Sequence, residues 1–125
     1  PLSETEWGLM LPLFHYHELK KGEQCLQAGQ VCRSIHFIGE GALRIFANHD
    51  GQDVSRQFFF ERAFVTELSS FLTQQPSRYC IDALESCKLL SINYNDLNGL
   101  YDKSANFLRF GKLMSDQTAT FLINR

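Results

Sequence analysis

From Leu19 to Ile92 the chain is broken into short runs separated by Gly, Asn or Asp, at Lys21-Gly22, Gly29, Gly39-Glu40-Gly41, His49-Asp50-Gly51 and Gln75-Pro76-Ser77. Punctuation this frequent leaves no room for long helices and suits short strands joined by tight turns. The stretch SIHFIGEGALRIFA alternates around two glycines, which predicts a strand, a glycine turn and a second strand. NHDGQD predicts a hairpin tip, because Asp-Gly readily takes the positive φ angles of such turns. Gly22, Gly29, Gly39 and Gly41 read as turn formers and not as phosphate loops, since no Gly-rich run follows a strand and opens a helix. The pattern is therefore mainly β, with the punctuation of a β-roll.

Helical patterning is confined to the two ends. Ser3 with Glu6 forms a capping box ahead of Trp7, Leu9, Met10 and Leu11, and Pro12 disrupts the helix it starts. After Ile92, NYNDLNGLY predicts a short helix, and Ser104 is an adequate N-cap for a long closing helix over about 104–123. On that helix Phe107, Phe110, Met114 and Phe121 form an apolar stripe with Gln117 in the remaining seam position. Packing on the protein's own roll and a seam with a second copy both account for such a stripe. The whole chain, 1–125, reads as one domain.

Several function classes are disfavoured. With 12 Lys and Arg against 14 Asp and Glu, there is no basic field to hold a nucleic-acid backbone. No apolar run approaches a membrane span and the amino end lacks signal-peptide order, so a cytoplasmic protein without membrane attachment is expected. Cys25, Cys32, Cys80 and Cys87 fit neither zinc nor iron–sulfur spacings and read as buried free thiols. His15-Tyr16-His17, with Glu23 as a third ligand, has the paired histidines of a cupin-type metal enzyme, but these histidines fall just after Pro12, ahead of the roll, and the later histidine motif is missing. No Gly-x-Ser-x-Gly elbow is present. No catalytic residue and no metal ligand is assigned. Arg44 and Arg56, on strands with apolar neighbours, read as a solvated face.

The stretch TELSSFLTQQPSRY, residues 66–79, places Glu67 and Arg78 around a short apolar patch and a Pro-Ser turn. A carboxylate accepts hydrogen bonds from hydroxyls and a guanidinium fork suits an anionic oxygen pair, so one ligand carrying sugar and phosphate would use both ends. The alternative is an ion pair between the two that closes the segment.

Leu19-Lys20-Lys21-Gly22-Glu23, Leu26, Gly29 and HFIGEGALRIF from His36 to Phe46 resemble the front half of a cyclic-nucleotide-binding domain, most closely those of the Crp/Fnr family of bacterial transcription regulators. That resemblance implies an antiparallel β-roll of the double-stranded β-helix, jelly-roll-like type, with an N-terminal helix and a C-terminal dimerisation helix. It also implies that residues 66–79 are the phosphate-binding cassette. Thr66, Glu67 and Leu68 then stand at its Gly-Glu-Leu, Ser69 and Ser70 open its helical turn, and Arg78 and Tyr79 stand at its Arg and small hydroxyl residue. The implied ligand is cAMP or another cyclic nucleotide, and no other cofactor is implied. Thr66 replaces a glycine, Tyr79 replaces a small residue, and Leu122 and Ile123 stand where cAMP-responsive members carry hydroxyls, so the implied cAMP binding is weak or absent. The resemblance further implies a homodimer through Phe107, Phe110, Met114, Gln117 and Phe121, and DNA binding only through a helix-turn-helix domain beyond Arg125. A ligand-free interaction and dimerisation module is the alternative within the same fold.

Overall fold

The computed structural model describes residues 2–123, with the backbone alone for His49, Arg56, Ser115 and residues 117–123. Helix α1, Glu4–Met10, starts at the Ser3–Glu6 capping box, and Pro12 lies in the 3-10 turn Leu11–Leu13 that ends it. Strands follow as β1 His15–Leu19, β2 Gln24–Leu26, β3 Ser34–Glu40, β4 Leu43–His49, β5 Gln52–Phe59 and β6 Phe64–Val65. After helix α2, Leu68–Thr73, come β7 Cys80–Ala83 and β8 Cys87–Asn93, then α3 Tyr94–Tyr101 and α4 Ala105–Ile123.

The strands form two four-stranded sheets, ordered β1-β8-β3-β6 and β2-β7-β4-β5, and every strand pairing is antiparallel. This is the expected β-roll. The β4–β5 hairpin turns at Asp50 and Gly51, both at positive φ, as the Asp-Gly signal predicts. Between β3 and β4 the chain turns at Gly41, where φ is +103° and a Cβ would meet Ser86 O and Cys87 Sγ, so only glycine fits. His15 and His17 do not precede the roll as the sequence reading had them; β1 pairs along its whole length with β8 and is the roll's first strand.

Ile35, Ile38, Leu43, Ile45, Phe59, Val65, Ile81, Leu89 and Ile92 form the core. The closing helices seal it with Leu97, Leu100, Phe107 and Met114. Cys32, Cys80 and Cys87 are buried, Cys25 half-buried, and all four are free thiols. The Cys25 thiol is pushed up to about 12, chiefly by burial, so it stays protonated and inert.

Two contacts fix α4. Ser104 accepts from the Asn106 amide and donates to the Glu6 carboxylate, which also accepts from the Asn106 side chain and from the Ser3 amide. That set of donors, Ser104 first, holds the Glu6 carboxyl down at about 2 and ties the start of α4 to α1. Further along, a Cβ on Gly111 would run into the Tyr101 hydroxyl, so the glycine lets α4 lie close on α3.

Candidate functional site

Residues 66–79 fold as a strand end, a single short helix and a return loop. Glu67 is the N-cap of α2: its backbone is extended and its Oε2 accepts from the Ser70 amide at 2.6 Å. The amides of Leu68 and Ser69 in the first turn have no intrahelical acceptor, as in any helix start. The helix ends at Gln74, which takes the left-handed conformation and returns its N–H to Ser70 O. Its side-chain amide donates to Cys32 O and Phe71 O, and Ser70 Oγ accepts from the Cys32 amide, so the segment is pinned to the β2–β3 connection. The return loop is pinned there too. Val31 and Pro76 form a β-bridge, Gly29 N donates to Ser77 O and Ser77 N donates to Gln30 O. Arg78 follows Ser77 directly and is exposed.

These pieces enclose a cavity of about 340 Å³ lined by Glu67, Ser69, Ser70, Thr73, Gln75, Pro76, Arg78 and Tyr79. Of the ligand residues expected from the sequence, Glu67, Ser69, Arg78 and Tyr79 line it, whereas Thr66 and Leu68 do not. Thr66 is fully buried: its hydroxyl donates to Ser34 O at 2.9 Å and lies 3.1 Å from Cys32 Sγ. Its φ is not positive, so a side chain is accommodated there without backbone strain. Leu68 is half-buried in the first turn of α2. Tyr79 is half-buried and packs partly against the core. Thr73, Gln75 and Pro76 are lining residues the sequence reading did not assign; they follow from the return path of the loop and carry no motif.

The closing ion pair between Glu67 and Arg78 is absent from the ion pairs among the described residues, and Arg78 has no hydrogen bond or ion pair there. The cavity lining thus includes an unpaired guanidinium and a buried carboxylate with one oxygen committed to the helix and one available.

Other charged clusters serve the fold. Arg44 is not on a solvated face: it makes two hydrogen bonds to Asp82, at 3.1 and 2.8 Å, and stacks over the Phe46 ring at 4.0 Å. The Arg56 side chain lies outside the described residues. Ser91 Oγ sits between His36 Nδ1 at 2.5 Å and His17 Nε2 at 2.8 Å, donating to one ring and accepting from the other. Burial first, then the neighbouring His17, pushes His36 down to about 4. Among the described residues no group of three ligating side chains is placed to hold a metal ion. A larger hollow of about 460 Å³ lies beside β2 and β3, but among its described lining residues Arg33 is the one charged side chain and there is no carboxylate.

The dimer stripe is placed differently from expectation. Phe107 and Met114 are each 1% exposed, turned into the protein's own core beside Leu97 and Leu100 of α3. Phe110 is half-buried between Trp7 and Phe64. The side chains of Gln117, Phe121, Leu122 and Ile123 lie outside the described residues. On α4 the exposed apolar side chains are Leu108 and Leu113, and Leu113, Trp7 and Phe110 share one surface hollow.

A roll closed by two helices, with a helical cassette inserted ahead of β7, defines a class, and comparison with known proteins agrees. A family model described as cyclic nucleotide-binding domain matches residues 16–104, and the chain belongs to that family. Its solved structural neighbours include Crp/Fnr-type regulators. The catabolite activator protein of Thermus thermophilus superposes with a TM-score of 0.72 at 21% identity, covering 99% of this chain and 55% of that one. The c-di-GMP responsive global regulator CLP of Xanthomonas campestris gives 0.79 at 18% identity, over 97% and 60% of the two chains. The regulatory domain of Toxoplasma gondii PKA, solved with cAMP, gives 0.70 at 14% identity over 79% and 38%. This chain therefore spans little more than half of the regulators it resembles, and at these identities the likeness is one of fold. No curated protein sequence matches the chain. No described helix is long and apolar enough to cross a membrane.

Proposed function

We propose that this domain is the ligand sensor of a Crp/Fnr-type transcription regulator and that its cassette binds a cyclic nucleotide. Arg78 takes the phosphate together with the amides of the first turn of α2, and the free oxygen of Glu67 takes a ribose hydroxyl. The observation that carries this reading is that Glu67 and Arg78 line one cavity without pairing with each other. A charge pair serving only the fold would be closed. Thr66, one of the departures from the family's cassette, turns its hydroxyl to Ser34 O and does not line the cavity, whereas Tyr79 does. The cAMP in the Toxoplasma structure and the c-di-GMP response of the Xanthomonas regulator set the range of candidates.

Occupancy passes to a DNA-binding domain through α4, which closes the roll and pairs with a second copy. Leu108 and Leu113 are the large apolar side chains of α4, among the described residues, left exposed for that partner. The test is isothermal calorimetry with cAMP, cGMP and c-di-GMP on the wild type and on Arg78→Ala. Saturable binding of one nucleotide that the substitution abolishes is expected. Absence of binding by the wild type at millimolar ligand, or binding that Arg78→Ala leaves unchanged, refutes the assignment and favours a ligand-free dimerisation module.

A further inference from the structure

Gln57 is 4% exposed, and neither its Oε1 nor its Nε2 has a hydrogen-bond partner among the described residues. A buried amide without partners is costly, and folded proteins keep few of them unless a ligand or water completes the site. The position of Gln57 indicates what completes it. On β5 it stands opposite Ile45 of β4, and Ile45 stands opposite Ile81 of β7, so the three form one row on the roll's inner face. Tyr79 precedes Ile81 by two residues, on the same face by strand alternation, and it lines the cassette cavity. Beside Gln57 the register of β5 shifts, with Ile45 opposite Gln57 but Phe46 opposite Ser55, which makes Arg56 the additional residue of a bulge. Bulges of this sort re-aim a neighbouring side chain and cluster next to binding sites.

We infer that Gln57 reads the base edge of the bound nucleotide, presenting one acceptor and one donor to an adjacent donor–acceptor pair; this rests on the ligand reading of the cassette given above. Phosphate and ribose already have Arg78 and Glu67, and a phosphate has no donor to offer the amide oxygen. A nucleobase has both partners side by side: adenine through N6–H and N1, guanine through N1–H and O6. The amide therefore selects a base edge, and the two purines are separated by experiment.

Wild type, Gln57→Leu and Gln57→Glu are compared by thermal melting without ligand and by calorimetry with cAMP and cGMP. Leucine keeps approximately the volume and removes both orphaned atoms. The ligand-free Gln57→Leu protein is expected to melt higher than wild type, yet to bind the preferred nucleotide about tenfold more weakly or worse. Gln57→Glu, whose carboxylate only accepts, is expected to lose cAMP more than cGMP, because guanine offers N1–H and N2–H as two adjacent donors. A Gln57→Leu protein that binds as the wild type does, or that melts lower without ligand, overturns this inference while leaving the cassette reading intact. A wild type that binds none of cAMP, cGMP and c-di-GMP overturns the cassette reading, and the inference falls with it.

Discussion

Thr66→Gly, which would restore the glycine of the family's cassette, is expected to weaken the fold without improving the site. The side chain at 66 is fully buried and its hydroxyl donates to Ser34 O. Losing that hydrogen bond costs about 1 kcal/mol. Removing the buried methyl costs about another 1 kcal/mol by transfer, and glycine's greater freedom in the unfolded chain adds roughly 0.5–1 kcal/mol. The sum is about 2–3 kcal/mol, which at a urea m-value of about 1–3 kcal/mol/M lowers the unfolding midpoint by roughly 1 M or more. Nucleotide affinity by calorimetry should stay within about threefold of wild type, because Thr66 is absent from the cavity lining and its backbone has no positive φ. Thr66→Ser, which keeps the donor and loses only the methyl, should recover more than half of the lost stability. The reasoning is refuted by a glycine variant that binds nucleotide at least about tenfold more tightly with an unchanged urea midpoint.

Arg78→Ala should leave stability within about 0.5 kcal/mol of wild type, since the side chain is exposed and unpaired among the described residues, while costing about 2 kcal/mol or more in nucleotide binding. Glu67→Ala should lower stability by about 1 kcal/mol through loss of the α2 cap, and weaken binding as well; urea titration and calorimetry separate the two effects. His36 is held near 4 against an ordinary 6.5, so the unfolded chain protonates first and stability is lost as pH falls from about 6.5 to 4, by at most about 3 kcal/mol; His36→Gln should flatten urea midpoints measured across that window. Leu113→Glu should yield a folded monomer by light scattering, whereas Met114→Asp should unfold the domain, because only the first of these side chains is exposed. A dimeric Leu113→Glu protein would remove that face of α4 from the interface.

The fold was legible because its signals are local: the Asp50-Gly51 turn, the Gly41 turn and the Ser3–Glu6 cap each act within a few residues. Glu67 and Arg78 were singled out by charge and spacing, and the fold sets both in the lining of one cavity. The direction of Thr66 was not, because a threonine in sequence gives no sign of whether its hydroxyl faces a cavity or the Ser34 carbonyl across the roll. For the α4 stripe the two readings stayed open for a related reason: helical periodicity identifies an apolar face but not what covers it, and Phe107 and Met114 are claimed by their own core. Gln57 carried no signal at all, since a glutamine in a polar run becomes remarkable only once strand register turns it inward.

Glu67 has a second occupation. Its carboxylate holds the first turn of α2 whether or not a ligand is present, so a lineage that stopped using the nucleotide would still be under pressure to keep an acidic or amide side chain there. Arg78 has no such anchor: nothing among the described residues would miss it. Drift would erase the arginine first and leave the glutamate as a relic. In distant copies of this domain, then, the acid tells whether the helix still folds, and on the proposed reading the base tells whether the pocket is still in use.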